Sequence, residues 1–528
     1  MLAATLPQIL AQQAARRPDA PAIVDGTAVT TYRELAAAAD RVTSSLLARG
    51  VRTGERIAVL AHDSAAWFAV AFGVAAAGAV LLPLNWRLGP AELAFQLQDA
   101  GVRRWFVGPG FARCAVEVEG QCAELGERIE LGEATSDAGA GAVRVHAFAS
   151  WLDRVDPSAP AAAPSIVPEQ PAVQMYTSGT TGRPKGVVLA HRSFVAVRRA
   201  LQQAGDPWLG WSDRDRSLLA VPAFHIGGFW WAMTAFDEGA CTVLVPQFAG
   251  WRVLAAIAAE RITKAFLVPA MLQICLSEPD CARTDFSSLD TIVYGGSPIP
   301  RPNLEAAMRT FGCRFAQIYG LTETGNTAVC LRPEDHRRPE LFEAAGRPYP
   351  GVAVKIVDVD GRELPTGVTG EICLASPGNM LEYWRRPEAT AATLRCGFVH
   401  TGDAGFVDAE GYVHVCDRIK DMICSAGENL YPAEIESVLC SHPAVAEAAV
   451  IGVPDARWGE LAKALVVLRP GASVLAGELL AHVRLQLADF KVPRSVEFLA
   501  ALPRTPSGKI QKHVLREPFW VGHRRRVN

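Results

Sequence analysis

The chain has 528 residues, half of them hydrophobic and a fifth charged, which excludes a disordered protein and exceeds one ordinary core. Lys plus Arg number 52 and Asp plus Glu 55, a net charge of -3, so no global basic field recruits nucleic acid, and the basic "HRRRVN" at residues 523–528 reads as a solvated tail. Twelve scattered cysteines form no C-x-x-C pair and no Cys/His cluster at zinc spacing, which argues against a disulfide framework and a structural metal.

The opening "MLAATLPQILAQQAARRPDAPAIV" reads as an amphipathic helix without the plan of an export signal, so a cytoplasmic protein is expected. Residues 67–84, "WFAVAFGVAAAGAVLLPL", carry no charge over 18 residues, the length of a membrane span. They are mostly alanine and glycine, however, and break at a turn before "AVLLPLN". They read as a helix and a strand in a water-soluble core, with peripheral membrane contact and homo-oligomerisation left open. Further along, "RIAVLA", "RRWFVG", "AVQMYTS", "SLLAVPA", "CTVLVP", "KAFLVP" and "DTIVYGG" are strand candidates, with helical stretches such as residues 91–100 and 251–260 between several of them. Such alternation implies parallel sheets covered by helices. The Pro/Ala-rich "DPSAPAAAPSIVPEQP" reads as a surface connection within the large domain.

From Gly351 the pattern changes. "VAVKIVD", "GEICLAS", "GFVHTGD" and "GYVHVCD" are short strands joined by "DVDG" and "DAEG" turns, which suggests a small antiparallel or barrel-like unit. After "CDRIKDMI" comes a segment with helices at 432–439 and 477–487 and strands "AVAEAAVIGV", "KALVVL" and "SVEFLA". The expected fold class is α/β: a large N-terminal domain (1–419) of helix-covered sheets plus the small β unit, then a smaller, mobile α+β C-terminal domain (420–528).

One loop carries chemistry. In "YTSGTTGRPKGVVLAH", Thr177, Ser178, Gly179, Thr180, Thr181 and Gly182 offer backbone N–H groups and hydroxyls with little bulk after a strand, and Lys185 adds a positive charge. That is a phosphate cradle. It is not a P-loop: Gly179 and Gly182 are three apart, and no Gly-Lys-Ser/Thr opens a helix.

The same stretch resembles the signature of the adenylate-forming superfamily, which includes acyl-CoA synthetases, peptide-synthetase adenylation domains and beetle luciferases. "PAFHIGG", "YGGSPIP", "QIYGLTETG", "HTGD", "DRIKDMICSAGENLYPAEIE" and "LPRTPSGKIQK" follow in the superfamily's order, and the resemblance covers nearly the whole chain. It implies activation of a carboxylic acid by ATP and Mg²⁺, giving an acyl-adenylate and pyrophosphate, and then thioester formation on coenzyme A. It assigns adenine and pocket-wall contacts to Gly295, Gly296 and Ser297, and further nucleotide contacts to Gln317 and Gly320. Tyr319 becomes the adenine-stacking ring, Thr322 the α-phosphate hydroxyl, Glu323 the Mg²⁺ ligand, and Asp403 and Arg418 the ribose contacts. It makes Lys509 the catalytic cation between carboxylate and α-phosphate, Lys420 the hinge on which the small domain turns, and Gly427 part of the pantetheine tunnel. His225, Phe229, Trp230, Trp231, Gly295, Gly296 and the "LTETGN" stretch at 321–326 fall to the acyl pocket, whose mostly apolar residues suit a fatty, cyclic or aromatic acid. Alternatives left open are a stand-alone enzyme loading a carrier protein, a luciferase-like oxygenase, and a non-catalytic nucleotide- or acyl-binding protein.

Overall fold

The computed structural model describes residues 3–132, 143–153, 164–177, 184–425, 428–455, 459–504 and 510–521. The N-terminal helix Leu6–Arg16 starts with Pro7 in its first turn, where a missing N–H costs nothing, and buries Leu6, Ile9 and Leu10. Helix Tyr32–Ala48 is held by a reciprocal cap in which the Thr31 hydroxyl accepts from the Glu34 N–H and the Glu34 carboxylate accepts from the Thr31 N–H.

The uncharged run at 67–84 resolves into helix Ala65–Ala76, capped by the Ser64 hydroxyl, and strand Val80–Pro83. The helix is buried on nearly every side, which explains its lack of a polar face. A Cβ on Gly73 would lie 2.6 Å from Val42 Cβ, so this glycine lets the helix cross Tyr32–Ala48 closely. Among the described residues no helix is long and apolar enough to cross a membrane.

Two large sheets form the body. One has eight strands, in the order Glu382–Tyr383, Lys185–Ala190, Pro171–Thr177, Val80–Pro83, Arg56–Leu60, Arg104–Val107, Glu127–Glu130, Arg144–Ala147. The other has nine, in the order Arg347–Pro348, Val329–Leu331, Arg314–Tyr319, Thr291–Gly295, Lys264–Leu267, Arg216–Leu219, Cys241–Leu244, Pro21–Asp25, Ala28–Thr31. Their central strands are parallel, while Lys185–Ala190 and Val329–Leu331 run antiparallel to their neighbours. A single apolar cluster runs from Ile57 and Val59 through Phe68 and Trp231 to Leu219 and Val293, so the two sheets share a core.

Strands Ala353–Val357, Gly370–Ala375, Phe398–Val407 and Val413–Arg418, with Leu394–Arg395, make a separate antiparallel sheet around Ile356, Ile372, Leu374 and Val413. The C-terminal part has its own sheet, in which Val445–Asp455 and Gly459–Leu468 pair along their length. Helices Pro432–Cys440 and Ala476–Arg484 cover it around Ile435, Leu439, Val450, Val466 and Leu479. The large α/β domain and the smaller α+β domain expected from the sequence are both present.

Candidate active site

Strands Thr291–Gly295 and Arg314–Tyr319 run parallel, with Gly295 opposite Ile318. A Cβ on Gly295 would meet the Ile318 carbonyl oxygen at 2.4 Å, so only glycine allows this approach. The chain then turns outward at Gly296, whose φ of +85° is the left-handed region, and Gly296 and Ser297 are exposed. In the neighbouring strand, half-buried Gln317 lies opposite Tyr294 and Leu331.

Past Tyr319 the chain folds back on itself. A Cβ on Gly320 would lie 2.0 Å from the Asn326 carbonyl oxygen. The Asn326 N–H donates to the Leu321 carbonyl at 2.9 Å, and the Thr324 hydroxyl accepts from the Leu321 N–H at 2.9 Å. This turn holds Thr322 and Glu323 half-exposed just beyond the carboxyl end of a parallel strand, where open α/β sheets bind ligands.

Three residues from distant parts of the sequence meet beside it. The Tyr319 hydroxyl donates to Asp403 Oδ2 at 2.7 Å, and Arg418 Nε lies 3.2 Å from Asp403 Oδ1. Asp403 and Arg418 are cross-strand partners. Burial first, and the Asp403 charge second, push the Tyr319 phenol well above its ordinary range, so it stays a neutral donor. The Asp403 turn is itself buttressed: the Glu371 carboxylate accepts from the Gly402 N–H at 3.0 Å and lies 2.7 Å from His400 Nδ1, and the Thr401 hydroxyl accepts from the Asp403 N–H at 3.0 Å. The fold thereby gathers Glu371, Cys373 and His400 within 4.8 Å of one another, a grouping that cysteine spacing does not reveal.

A second group gathers at Glu323. The Tyr383 hydroxyl donates to Glu323 Oε1 at 2.7 Å, and Lys185 Nζ sits 5.0 Å from the centre of the Tyr383 ring. Burial, then Glu323, raise the Tyr383 phenol and keep it protonated. Strand Glu382–Tyr383 pairs with Lys185–Ala190, and Lys185 pairs with Thr177 across the stem of the glycine loop. Ser178, Gly179, Thr180, Thr181 and Gly182 lie outside the described residues, as do Gly427 and Lys509. Lys420 falls in the short turn Ile419–Asp421.

His225 precedes helix Ile226–Glu238 and packs its ring on Phe224 at 4.3 Å. Phe229 lies between Trp67 and Phe194, and Trp230 between Trp208 and Phe266, so both are core residues, 1% and 3% exposed. Trp231 donates its indole N–H to the Leu218 carbonyl at 3.0 Å and is fully buried.

Tyr383 is the residue that reading the sequence missed. No local pattern marks it; only the pairing of its two-residue strand brings it to Glu323. The arrangement suits a nucleotide. Two cations, Lys185 and Arg418, and the carboxylates Glu323 and Asp403 flank open backbone. A Cβ on Gly402 would meet nothing within 4 Å, and one on Gly296 only Val268 Cγ1 at 3.8 Å, which leaves room for a flat ligand. A half-exposed carboxylate beside a phosphate site is the donor that Mg²⁺ takes when phosphates and water fill its other positions.

Comparison with known proteins agrees with this geometry. Residues 10–384 match the AMP-binding enzyme family, and residues 434–509 match the AMP-binding enzyme C-terminal domain. The chain is 46% identical to the fatty acid–[acyl-carrier-protein] ligase ScoC of Streptomyces coeruleorubidus, over 99% of this chain and 98% of that protein. It is 38% identical to a feruloyl-CoA synthase of an Amycolatopsis species, over 96% and 98%. The crystal structure of the anthranilate CoA ligase AuaEII in complex with anthranoyl-AMP superposes with a TM-score of 0.89 at 30% identity, covering 98% of this chain and 97% of that one.

Proposed function

Since this chain belongs to the AMP-binding enzyme family, and is an AMP-forming acid–thiol ligase that uses ATP, Mg²⁺ and coenzyme A, we propose which of its residues perform each step. The observation that carries the assignment is the convergence of Tyr319, Asp403 and Arg418 from three separate strands. In this reading Asp403 and Arg418 take the ribose hydroxyls, and Tyr319 lies against adenine. The loop from Thr177 to Lys185, with Thr322, surrounds the phosphates. Mg²⁺, when bound at Glu323, neutralises phosphate charge. Lys509 places its ammonium between the attacking carboxylate and the α-phosphate, a role whose loss costs roughly 10²–10³ in rate. We place the domain boundary and hinge at Lys420, and the thiol approach past Gly427. His225 closes the acyl end of the site.

The first half-reaction joins two anions. One carboxylate oxygen attacks the α-phosphorus, the bond to the bridging oxygen breaks, and pyrophosphate leaves. The thiol sulfur then attacks the acyl carbon, and AMP leaves. Preplaced cations lower the first barrier by meeting charge where it develops. A fatty, cyclic or aromatic acid is the substrate class, and the feruloyl and fatty-acid activities named for the relatives support it. Coenzyme A is the acceptor. Loading of a carrier protein is the second reading, favoured by the ScoC likeness. We place the protein in the cytoplasm, where the eleven described cysteines, all free, remain reduced.

Pyrophosphate release with ATP and Mg²⁺, across short, medium, long, cyclic and aromatic acids with and without coenzyme A, tests this reading. Acid-dependent release that accelerates with coenzyme A is expected. Release indifferent to coenzyme A transfers the case to a carrier protein. Lys509→Ala is expected to abolish adenylation while supplied acyl-adenylate still becomes thioester; equal loss of both half-reactions would refute the role given to Lys509.

A further inference from the structure

The turn that carries Asp403 is a bulge, and it stands over a group of metal-ligating side chains. Where strands Gly370–Ala375 and Phe398–Val407 pair, Thr401, Gly402 and Asp403 stand opposite the single residue Ile372. Cys373 pairs with His400 at one foot of the bulge, and Glu371 with Ala404 at the other. Glu371 and Cys373 are two residues apart on one strand, so they share a face. The result, among the described residues, is a carboxylate oxygen, a thiol sulfur and an imidazole nitrogen all within 4.8 Å of one another.

The spacing suits a cation that bonds sulfur. A tetrahedral zinc ion holds its sulfur and nitrogen ligands about 3.6 Å apart. His400 Nδ1 already lies 3.4 Å from Cys373 Sγ, and the same nitrogen lies 2.7 Å from Glu371 Oε2. One imidazole atom thus faces both other donors. Cys373 is fully buried, whereas the His400 and Glu371 side chains are 10% and 24% exposed, so the group is reached past Glu371 and a water can complete the four ligands. Burial, then the Glu371 charge, push the Cys373 thiol up to about 12; Lys355, opposite it on the next strand, and Arg395 favour the thiolate. Such a thiol gives up its proton only to a strongly sulfur-bonding cation, and Mg²⁺ and Ca²⁺ prefer oxygen. On binding, the thiol proton leaves to solvent and the neutral imidazole keeps its N–H on Nε2.

We propose that Glu371, Cys373 and His400 form a site for zinc or a similarly sulfur-bonding divalent cation, and that its occupancy weakens nucleotide binding. The second half rests on the ribose reading of Asp403 above. Oxygen and nitrogen ligands 2.7 Å apart must open to about 3.4 Å around a tetrahedral cation. The other oxygen of Glu371 accepts from the Gly402 N–H at 3.0 Å. Opening the group draws Glu371 away from Gly402, and the bulge loses a bond that holds Asp403 in place. Cation and nucleotide then oppose each other by the same factor in both directions.

The test titrates cadmium, a spectroscopic stand-in for zinc, into the full chain without added thiols or chelators and follows the ultraviolet sulfur-to-cadmium charge-transfer band. Cys396 is exposed, so Cys396→Ser serves as the reference protein. One equivalent is expected to develop the band, and zinc to displace it. Adding Cys373→Ala is expected to remove the band. Adding His400→Gln, which keeps an N–H for Glu371 and so spares the bulge, is expected to weaken cadmium binding at least about tenfold. AMP affinity, measured by calorimetry without Mg²⁺ because one phosphate competes little for the cation, is expected to fall about 3- to 10-fold with cadmium bound, the worth of one hydrogen bond. Saturating AMP should weaken cadmium by the same factor. A band that never forms, or one that survives Cys373→Ala undiminished, overturns the site. AMP affinity indifferent to bound cadmium overturns the coupling. AMP affinity that Asp403→Asn fails to lower, with no cation present, overturns the ribose reading instead.

Discussion

Asp403 is 5% exposed, yet it spends both oxygens on groups of the site, Tyr319 on one side and Arg418 on the other. A buried carboxylate so held is rigid before the proposed ribose contact forms, and its loss should appear in nucleotide binding rather than in the fold. Asp403→Asn is expected to raise the KM for ATP by roughly 10- to 100-fold, the value of a hydrogen bond to a charged group, with little change in melting temperature. A melting point lowered in proportion to activity would make Asp403 structural instead. Tyr383→Phe asks the same of the other group. It removes the 2.7 Å bond to Glu323 and leaves the ring over which Lys185 sits. The expected result is a Mg²⁺ requirement raised about tenfold, read from ATP-dependent thermal protection across a Mg²⁺ titration. At this scale Tyr319, Glu323, Asp403 and Arg418 were legible because each sits inside a distinctive motif. Tyr383 was not: it acts through a two-residue strand pairing, which leaves no mark on the chain.

Elements set these residues in place by close backbone approach. Gly320 is a sharp case, because its neighbour is a carbonyl that cannot swing away. Gly320→Ala is expected to cost about 1–3 kcal/mol as overpacking and to weaken ATP binding as well, because the same turn carries Thr322 and Glu323. Unaltered ATP affinity would separate the turn from the site. The parallel strand Thr291–Gly295 has a different support: the Tyr294 hydroxyl meets His336 Nε2 at 3.0 Å, and His336 Nδ1 meets the Arg332 carbonyl at 2.8 Å. Burial lowers the His336 pKa to about 4, and His191, equally buried, is also lowered to about 4. Both are depressed below the ordinary imidazole value, so the folded state binds fewer protons than the unfolded chain between about pH 6.5 and 4. Stability is full above that window and falls as pH drops through it, by up to about 3 kcal/mol per histidine. His336→Gln cannot titrate there, so urea midpoints at pH 7.5 and 5 should differ less than in the wild type. Most strands behind these contacts were readable as apolar runs between turn residues: "KAFLVP" and "DTIVYGG" became Lys264–Leu267 and Thr291–Gly295. Their division between two sheets was not readable. Strands buried on both faces carry no alternation, and parallel order depends on crossovers that leave no local pattern.

On the scale of the whole molecule, the C-terminal part and strand Val413–Arg418 are joined by charge. Lys512 Nζ lies 2.8 Å from Glu436 and 3.8 Å from Asp417. Asp417 also accepts from the Ala433 N–H at 2.7 Å, and Glu436 from the Val450 N–H at 2.6 Å. Asp417 precedes the proposed hinge at Lys420, while Lys512 starts helix Lys512–Trp520 three residues after Lys509, so the cluster ties the helix that follows the proposed catalytic lysine to the strand that leads into the proposed hinge. Burial raises the Glu436 pKa, while Lys512 is the main group that opposes this. Lys512→Met would leave buried Asp417 and part-buried Glu436 without this cation, a loss of up to about 3 kcal/mol. Such a carboxylate takes up a proton more readily in the folded state than in the unfolded one, so its cost develops as pH rises past the ordinary carboxylate range and shrinks toward pH 5. Hydrogen exchange over residues 432–455 and 510–521 should therefore accelerate strongly in Lys512→Met at pH 7.5 and much less at pH 5, after correction for the intrinsic pH dependence of exchange. Replacing Glu436 by leucine in the same variant should restore part of the protection by removing one buried charge. A penalty equal at both pH values would mean that Lys512 serves by packing its stem rather than by its charge, and strand Val413–Arg418 would then be held to the C-terminal part by that packing and by the Ala433–Asp417 hydrogen bond.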